Sequence, residues 1–190
     1  MNKSIDLKYR CFGSGKSFYE QYHDEQWGIP VYDDRELFEM LILEGAHAGL
    51  SWEIVLKKRE EYKKCFHNFD VNKVANMNDD DLETLLLNPG LIRNRLKIYS
   101  ARKNAIAFIN IQNEFGSFSN YLWNYIDNKQ IKNNFKHWED VPTSTPLSDK
   151  ISKDLKKRGM SFVGTTIIYS YLQAVGLIDD HLITCHCYKK

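Results

Sequence analysis

The sequence predicts an all-α fold, and three observations support that prediction. Apolar residues recur every three to four positions, residues typical of helix starts precede these segments, and no stretch alternates long enough to predict a sheet. The chain has 190 residues, of which 43% are hydrophobic and 27% charged. This composition excludes a mainly disordered protein and permits a sizeable core without disulfides.

The first predicted helix places a glutamate among its apolar positions. It starts near Asp33 and Asp34, acidic residues that favour a helix N-terminus. Positions i, i+3, i+4 and i+7 of one face are Leu37, Met40, Leu41 and Glu44. Because glutamate is almost never fully buried without a partner, Glu44 is a candidate functional residue.

The remaining elements also follow helical spacing. Ser51 is the predicted N-cap of a helix that runs to Cys65. Further helices are predicted over residues 79–87, 93–113, 118–126, 148–158 and 165–175. Residues 137–145, followed by a proline, are predicted to form a loop that joins two helical sub-bundles.

The lengths of the apolar runs and the charge balance indicate which classes of protein this chain does not belong to. No run approaches the roughly 18 to 20 residues of a membrane span, and residues 1–10 lack the apolar core of a secretion signal. We therefore expect a cytoplasmic protein with no membrane partner, and a flexible extension over residues 1–9. With 26 basic and 25 acidic residues, the chain has no overall field for nucleic acid, so such binding depends on local basic clusters.

A Pro-Gly turn separates an acidic predicted helix from a basic one. Residues 88–97, which include Gly90, Arg93 and Lys97, look like a helix-hairpin-helix. Gly90 permits a positive φ or a close backbone approach, and the N-terminus of the next helix suits a phosphate. An ordinary αα-hairpin is the alternative, because the second glycine of many such motifs is missing.

Four thiol and imidazole side chains near the two chain ends form a candidate zinc set. They are Cys11, His23, His181 and Cys185. Thiolate and imidazole are preferred zinc ligands, and a metal held by all four would join the N- and C-terminal segments. Against this, the spacing is not that of a zinc finger, and His186 and Cys187 compete as ligands.

An aromatic group accompanies the glutamate. Its members are Tyr19, Tyr22, Trp27, Glu44 and Trp52. A carboxylate flanked by indoles is suited to accept hydrogen bonds from a flat heterocycle stacked on the rings. The loop that follows contains Gly49 and Leu50 and is of the type that pushes an apolar wedge into a base stack. Ordinary core packing is the alternative for the aromatic residues.

A series of long motifs, in the same order, resembles the bacterial 3-methyladenine DNA glycosylase I family. The motifs lie at residues 22–28, 37–40, 43–45, 48–52, 56–59, 141–145, 155–159 and 162–166. The resemblance covers nearly the whole chain, from residue 11 to residue 188. It implies an all-α helix-hairpin-helix scaffold, which hydrolyses the N-glycosidic bond of 3-methyladenine in alkylated DNA without a covalent intermediate.

The resemblance also implies an organisation, partners and site residues. One domain, residues 1–190, would act as a monomer on double-stranded alkylated DNA, with its pocket between the sub-bundles, and release free 3-methyladenine. Glu44 matches the catalytic, base-contacting glutamate. The pocket aromatics match Tyr22, Trp27 and Trp52, with Tyr19 nearby. The zinc ligands of one structural ion match Cys11, His23, His181 and Cys185. DNA contacts are expected from Gly49, Leu50, Gly90, Arg93 and Lys97.

Two departures from the family pattern stand out. His47 occupies a position where the family commonly has glutamine, so the polar edge of the pocket mouth differs. No aspartate in a Gly/Pro-rich turn follows the helix predicted over residues 93–113, where the wider superfamily carries its catalytic aspartate. Two other functions stay open: a non-catalytic reader of damaged DNA, and a zinc-dependent hydrolase of a small nucleoside.

Overall fold

The structure, a computed structural model, describes residues 8–189 and is mostly helical. Its α-helices are α1 (Ser17–Glu25), α2 (Asp34–His47), α3 (Trp52–Cys65), α4 (Val71–Ala75), α5 (Asp79–Leu87), α6 (Arg95–Phe115), α7 (Phe118–Trp123), α8 (Pro146–Lys157) and α9 (Thr165–Ala174). Short 3-10 turns cover His67–Phe69, Asn124–Ile126 and Trp138–Asp140. Over the described residues, none of these helices is long and apolar enough to cross a membrane.

The helical class predicted from the sequence is confirmed, with one small addition. Two strands of two residues each, β1 (Ile131–Lys132) and β2 (Ile178–Asp179), pair in parallel, with Ile131 opposite Ile178. A strand of two residues shows no alternation, so its pattern is too short to predict it.

Side-chain caps explain where several helices begin. Asp33 accepts the backbone N–H groups of Arg35 and Glu36, each at 3.0 Å, at the start of α2. Asn94 accepts the N–H of Lys97 at 3.2 Å in the same way. Helix α6 therefore begins two residues later than the sequence predicts.

The predicted N-cap and end of α3 are confirmed, whereas the start of α8 and the presence of α1 and α4 differ from the prediction. Ser51 occupies the N-cap position of α3, but its side chain accepts no hydrogen bond there from the described part of the chain. Helix α8 begins at Pro146, two residues early, because Thr145 caps it and proline suits the first helical position. Helices α1 and α4 are not predicted, since α1 buries only Tyr22 and His23 and α4 spans five residues.

Helix α2 lies in the core. Every residue from Leu37 to Ala46 is buried, and the helix packs against α3, α6, α7 and α9. Phe38 packs edge-on against Phe108, whose ring stacks on Phe118 with centroids 4.0 Å apart. Because α2 is enclosed by these neighbours, Glu44 on its last turn is buried with it.

The two ends of the described chain meet. The carbonyl of Tyr9 accepts the N–H of His186 at 3.0 Å. Residue 9, which the sequence assigns to the flexible extension, is therefore hydrogen-bonded to the C-terminal segment. Residues 1–7 of that extension lie outside the described residues.

Candidate functional site

A cavity of about 310 Å³ lies where α1, α2, α3 and α9 meet. The predicted aromatic and carboxylate group lines it: Tyr19, Tyr22, Trp27, Glu44 and Trp52. These residues come from three helices and from the turn after α1, so only the packing of those elements brings them together. The volume lies at the lower end of the range for small-molecule sites.

Glu44 is the buried acid of this cavity. It lies on the last turn of α2 and is 3% exposed. Its Oε2 lies 3.2 Å from Nδ1 of His47, the last residue of the helix, and its Oε1 makes no hydrogen bond within residues 8–189. Burial raises the pKa of the Glu44 carboxyl, and the hydrogen bond and charge of His47 oppose that shift. One carboxylate oxygen is therefore free to accept a ligand N–H.

Aromatic rings form the cavity walls. Tyr22 and Trp27 are almost fully buried, and the centroids of the Tyr22 and Trp52 rings lie 5.4 Å apart. Burial, and then the charge of Glu44, raises the pKa of Tyr22 well above its usual range, so its hydroxyl stays protonated. The indole N–H of Trp52 is buried and has no acceptor among the described residues. A ligand with an acceptor at that position would satisfy it.

The cavity lining also includes residues that the sequence pattern does not single out. These are Phe12, Trp138, Ser170 and Gln173. Ser170 and Gln173 lie three positions apart on α9, a spacing that places both on one face. Trp138 comes from the predicted loop, and its ring centroid lies 6.2 Å from that of Trp27. A tryptophan in a predicted loop was the one available signal for this part of the site.

The turn after α2 carries the two predicted wedge residues. Gly49 has a φ of +76°, which favours glycine, and a Cβ there would meet no atom within 4 Å. Leu50 is 38% exposed. Both residues therefore lie on open surface, close in sequence to the cavity residues His47 and Trp52. Their contact with DNA stays a prediction.

Lys97 has a structural role that the sequence does not predict. Its Nζ donates to the carbonyl oxygens of Ala46 and Ala48, at 2.8 and 2.6 Å. A cation at this position satisfies carbonyls at the C-terminus of α2 and complements the helix dipole. Lys97 thus holds the start of the turn that carries Gly49 and Leu50, and a contact between Lys97 and DNA stays a prediction.

Gly90 lies in the turn between α5 and α6, where close packing requires glycine. A Cβ at this position would lie 2.5 Å from Cγ of Glu61 on α3, and Gly90 has no positive φ. Of the two reasons predicted for this glycine, close backbone approach therefore applies. The Gly90 N–H donates to Oδ1 of Asn88 at 2.7 Å and is not free for a phosphate. Arg93 in the same segment is exposed and makes no ion pair within the described range.

Thiol and imidazole groups cluster beside the cavity. The ligand atoms of His23, His181, Cys185 and Cys187 all lie within 4.8 Å of one another. Cys11 borders this group, because its backbone N–H donates to Nε2 of His23 at 3.3 Å. The structure therefore brings three of the four predicted ligands together with the competitor Cys187 and places Cys11 beside them. The other competitor, His186, belongs to an overlapping group with His23, Asp24 and Cys187, so both groups are able to bind a metal ion.

Carboxylates orient both imidazoles of this cluster. Nδ1 of His23 lies 2.8 Å from Asp24, and Nδ1 of His181 lies 2.7 Å from Asp179. This arrangement favours the tautomer in which Nε2 carries the lone pair that a metal ion needs, and in His23 that lone pair accepts the Cys11 N–H. Nε2 of His181 is buried and has no partner within residues 8–189, so a metal ion would satisfy it. Asp179 belongs to β2, and the unpredicted strand pair thus positions one candidate ligand.

The pKa values of the thiols in the cluster are shifted in opposite directions. The hydrogen bond with Cys11, and then the contact with His23, lowers the pKa of Cys185 to about 3 although burial opposes the shift. The same hydrogen bond, together with burial, raises the pKa of Cys11. Burial and the neighbouring Cys185 raise the pKa of Cys187 to about 12. Of these thiols, Cys185 is thus the one whose surroundings favour the thiolate, the form that binds metal.

Comparison with known proteins assigns the chain to a family. The family model described as methyladenine glycosylase matches residues 12–188. The chain belongs to the methyladenine glycosylase family. The resemblance indicated by the sequence motifs is thereby confirmed.

Relatives of this methyladenine glycosylase cover nearly its whole length. It is 47% identical over 180 residues to DNA-3-methyladenine glycosylase 1 of Escherichia coli (strain K12), an alignment that covers 94% of this chain and 96% of that protein. It is 45% identical over 179 residues to DNA-3-methyladenine glycosylase of Haemophilus influenzae (strain ATCC 51907 / DSM 11121 / KW20 / Rd), covering 94% and 97%.

Solved structures of similar proteins share the fold. A structure of 3-methyladenine DNA glycosylase I from Staphylococcus aureus, which concerns the recognition of 3-methyladenine, superposes with a TM-score of 0.92 at 38% identity, covering 95% of this chain and 96% of that one. A variant of 3-methyladenine DNA glycosylase I in complex with 3-methyladenine gives a TM-score of 0.92 at 38% identity, with coverage of 95% and 97%.

Proposed function

We propose that this chain, a DNA-3-methyladenine glycosylase, acts in base-excision repair through its aromatic cavity. It hydrolyses the N-glycosidic bond of 3-methyladenine in alkylated DNA, which releases the free base and leaves an abasic site. One observation carries the assignment to this cavity: a buried carboxylate with one free oxygen lies among aromatic rings in about 310 Å³. Methylation at N3 makes the attached base cationic, so the base leaves as a neutral molecule and needs only modest stabilisation.

Glu44 is the catalytic residue of the proposed site. Its Oε1 accepts hydrogen bonds from the amino edge of the adenine, and its negative charge attracts the cationic base. That attraction is stronger inside a buried cavity than in water. The base lies between the rings of Tyr22, Trp27 and Trp52, with Tyr19 at the edge, and selectivity comes from the shape of these walls and from the acceptor.

The DNA-facing surface surrounds this cavity. The lesion must leave the stack of double-stranded DNA to reach Glu44, and the exposed Leu50 fills the gap while Gly49 allows the backbone to approach. Arg93 and the first N–H groups of α6 contact the phosphates. Gly90 lies in the turn between α5 and α6. Lys97 on α6 connects this hairpin to the turn that carries Leu50, through its hydrogen bond to the Ala46 carbonyl.

One structural zinc ion accompanies the site. Its proposed ligands are Cys11, His23, His181 and Cys185, with Cys187 as the alternative thiol. When bound, the ion supplies a cross-link between the two chain ends, because four protein ligands leave no open position for substrate or water. The cross-link would stabilise the wall of the cavity to which Trp27 belongs, since its ring lies 4.7 Å from that of His181.

We further propose that residues 1–190 form one domain, which acts as a monomer in the cytoplasm with its pocket between two helical sub-bundles. The lining of the cavity supports this organisation, because it combines α1, α2 and α3 with α9 from the opposite end of the chain. The hairpin between α5 and α6 does not line that cavity, and the metal cluster alone does not form it.

The test incubates the purified protein with methylated duplex DNA and separates the released bases by chromatography. We expect release of 3-methyladenine while 7-methylguanine stays bound, and a loss of about 100-fold or more in rate for Glu44→Gln, as for other preorganised electrostatic groups. Folded protein that binds the DNA but releases no base would instead be a damage reader. Turnover lost on metal removal without unfolding would favour the zinc-dependent hydrolase, and an unchanged rate in Glu44→Gln would remove Glu44 from the mechanism.

A further inference from the structure

His47 is the polar side chain that contacts Glu44. Its Nδ1 lies 3.2 Å from Oε2 of the carboxylate, and no other hydrogen bond to that carboxylate occurs within residues 8–189. Glu44 is 3% exposed, so water cannot replace this partner easily. A buried carboxylate without any hydrogen bond would take up a proton. His47 therefore opposes the effect of burial on Glu44.

The backbone around His47 is held in place. His47 is the last residue of α2, and Lys97 binds the carbonyl oxygens of the residues on either side of it, Ala46 and Ala48. The imidazole packs edge-on against the Trp52 ring, with centroids 5.5 Å apart. About a third of the side chain remains exposed. The direction of Nδ1 toward Glu44 is thus set by the end of the helix and by one wall of the cavity.

Other ionisable groups around the cavity do not replace His47. Those from the neighbouring elements are Cys11, Tyr19, Tyr22, Glu53, Arg59 and Lys97. Glu53 is paired with Lys16 and Lys57, and Arg59 is paired with Glu39. The lining residues from α9 are the neutral Ser170 and Gln173. An imidazole can donate from Nδ1 whether it is neutral or protonated, so the bond to Glu44 is available in both states.

We propose that His47 is a positioning residue that keeps the Glu44 side chain ionised and directs its free oxygen toward the bound base. The inference rests on the proposed role of Glu44 in base binding. An ionised Glu44 accepts an N–H of the amino edge with its free oxygen and attracts a cationic base, whereas a protonated Glu44 carries no charge to attract that base. His47 acts through Glu44 and need not touch the base.

The experiment measures the affinity of the protein for free 3-methyladenine by tryptophan fluorescence between pH 5 and pH 8. The variants are His47→Leu, which removes the donor and keeps the bulk, and His47→Gln, which keeps an N–H donor. We expect the acid loss of binding to move to higher pH in His47→Leu, with affinity about tenfold weaker at pH 6.5. His47→Gln should stay within about threefold of the parent. Protonation of the free base is common to all variants, so the comparison between them isolates the protein.

Each result decides between separate claims. No binding and no base release by the folded parent would overturn the proposed function. Undiminished binding by Glu44→Gln would remove Glu44 from the site. If the parent and Glu44→Gln behave as proposed but His47→Leu follows the parent pH profile, His47 has no such role.

A second measurement tests the proposal without His47→Leu, in case that variant folds poorly. A ¹³C-carboxyl NMR titration of glutamate-labelled protein identifies Glu44 by the signal missing in Glu44→Gln. In a His47→Ala variant, the Glu44 signal should titrate at a higher pH than in the parent. In His47→Gln it should titrate as in the parent. Identical titrations would overturn the proposal.

Discussion

Replacing Lys97 by methionine tests whether this residue holds the turn after α2. Methionine keeps the apolar stem and removes the ammonium, which donates to the carbonyls of Ala46 and Ala48 at 2.8 and 2.6 Å. Each hydrogen bond to a charged group contributes about 1.5–3 kcal/mol, but the ammonium is partly buried and its desolvation offsets part of that gain. A net loss of about 2 kcal/mol follows, which corresponds to a fall in Tm of about 4–8 °C for a chain of this size.

The assay combines thermal unfolding with DNA binding at several salt concentrations. For Lys97→Met we expect the lower Tm, slower base release because the turn with Leu50 is loosened, and an unchanged salt dependence. Arg93→Gln is the matched control: its side chain is exposed, so the Tm should stay within about one degree and the salt slope should fall by about 1. A Lys97→Met protein with the parent Tm and a salt slope reduced by about 1 would refute the reasoning, and would show that Lys97 contacts a phosphate.

Cys185→Ser should lose bound metal by elemental analysis and unfold at a lower temperature, whereas Cys65→Ser on α3 should keep both properties; metal retained in Cys185→Ser would contradict the ligand set. Glu44→Gln should unfold at a higher temperature than the parent at pH 7. The raised pKa of Glu44 means that its contribution is present below the ordinary glutamate pKa and is lost as pH rises through the folded value, so the two proteins should converge in acid. Equal stability at pH 7 would show that the ionised carboxylate costs nothing. Gly176→Ala should lose about 2 kcal/mol or more in urea unfolding, because a Cβ would lie 2.2 Å from the backbone carbon of Ile29 and φ is +69°; a smaller loss would mean that this contact relaxes.

Features that depend on neighbours along one helix were predictable from the sequence. The spacing of Leu37, Leu41 and Glu44 placed a carboxylate on an apolar face, and the structure buries Glu44 on that face. The prediction succeeded because residues three to four apart share a face in any α-helix. The motif resemblance similarly named the five residues that line one cavity, although their roles there stay predictions.

Contacts between separate elements were not predictable in the same way. Apart from the unusual tryptophan in a predicted loop, no local pattern indicated that Trp138 and Gln173 join the cavity, because they come from a loop and from α9. The partner of His181 was also missed, since Asp179 is placed by a strand pair of two residues. Such contacts depend on how the whole core packs, and no periodicity records them.

By itself, the sequence determined the helical class, the buried position of Glu44, and the set of thiol and imidazole groups from which a metal site can be built. Only the tertiary structure decided that Cys187 joins that set and that Lys97 turns inward to residues about 50 positions earlier. The physical reason is the range of the interactions. Helix formation follows from hydrogen bonds and spacing within one segment, whereas these contacts appear only when distant segments pack into one core.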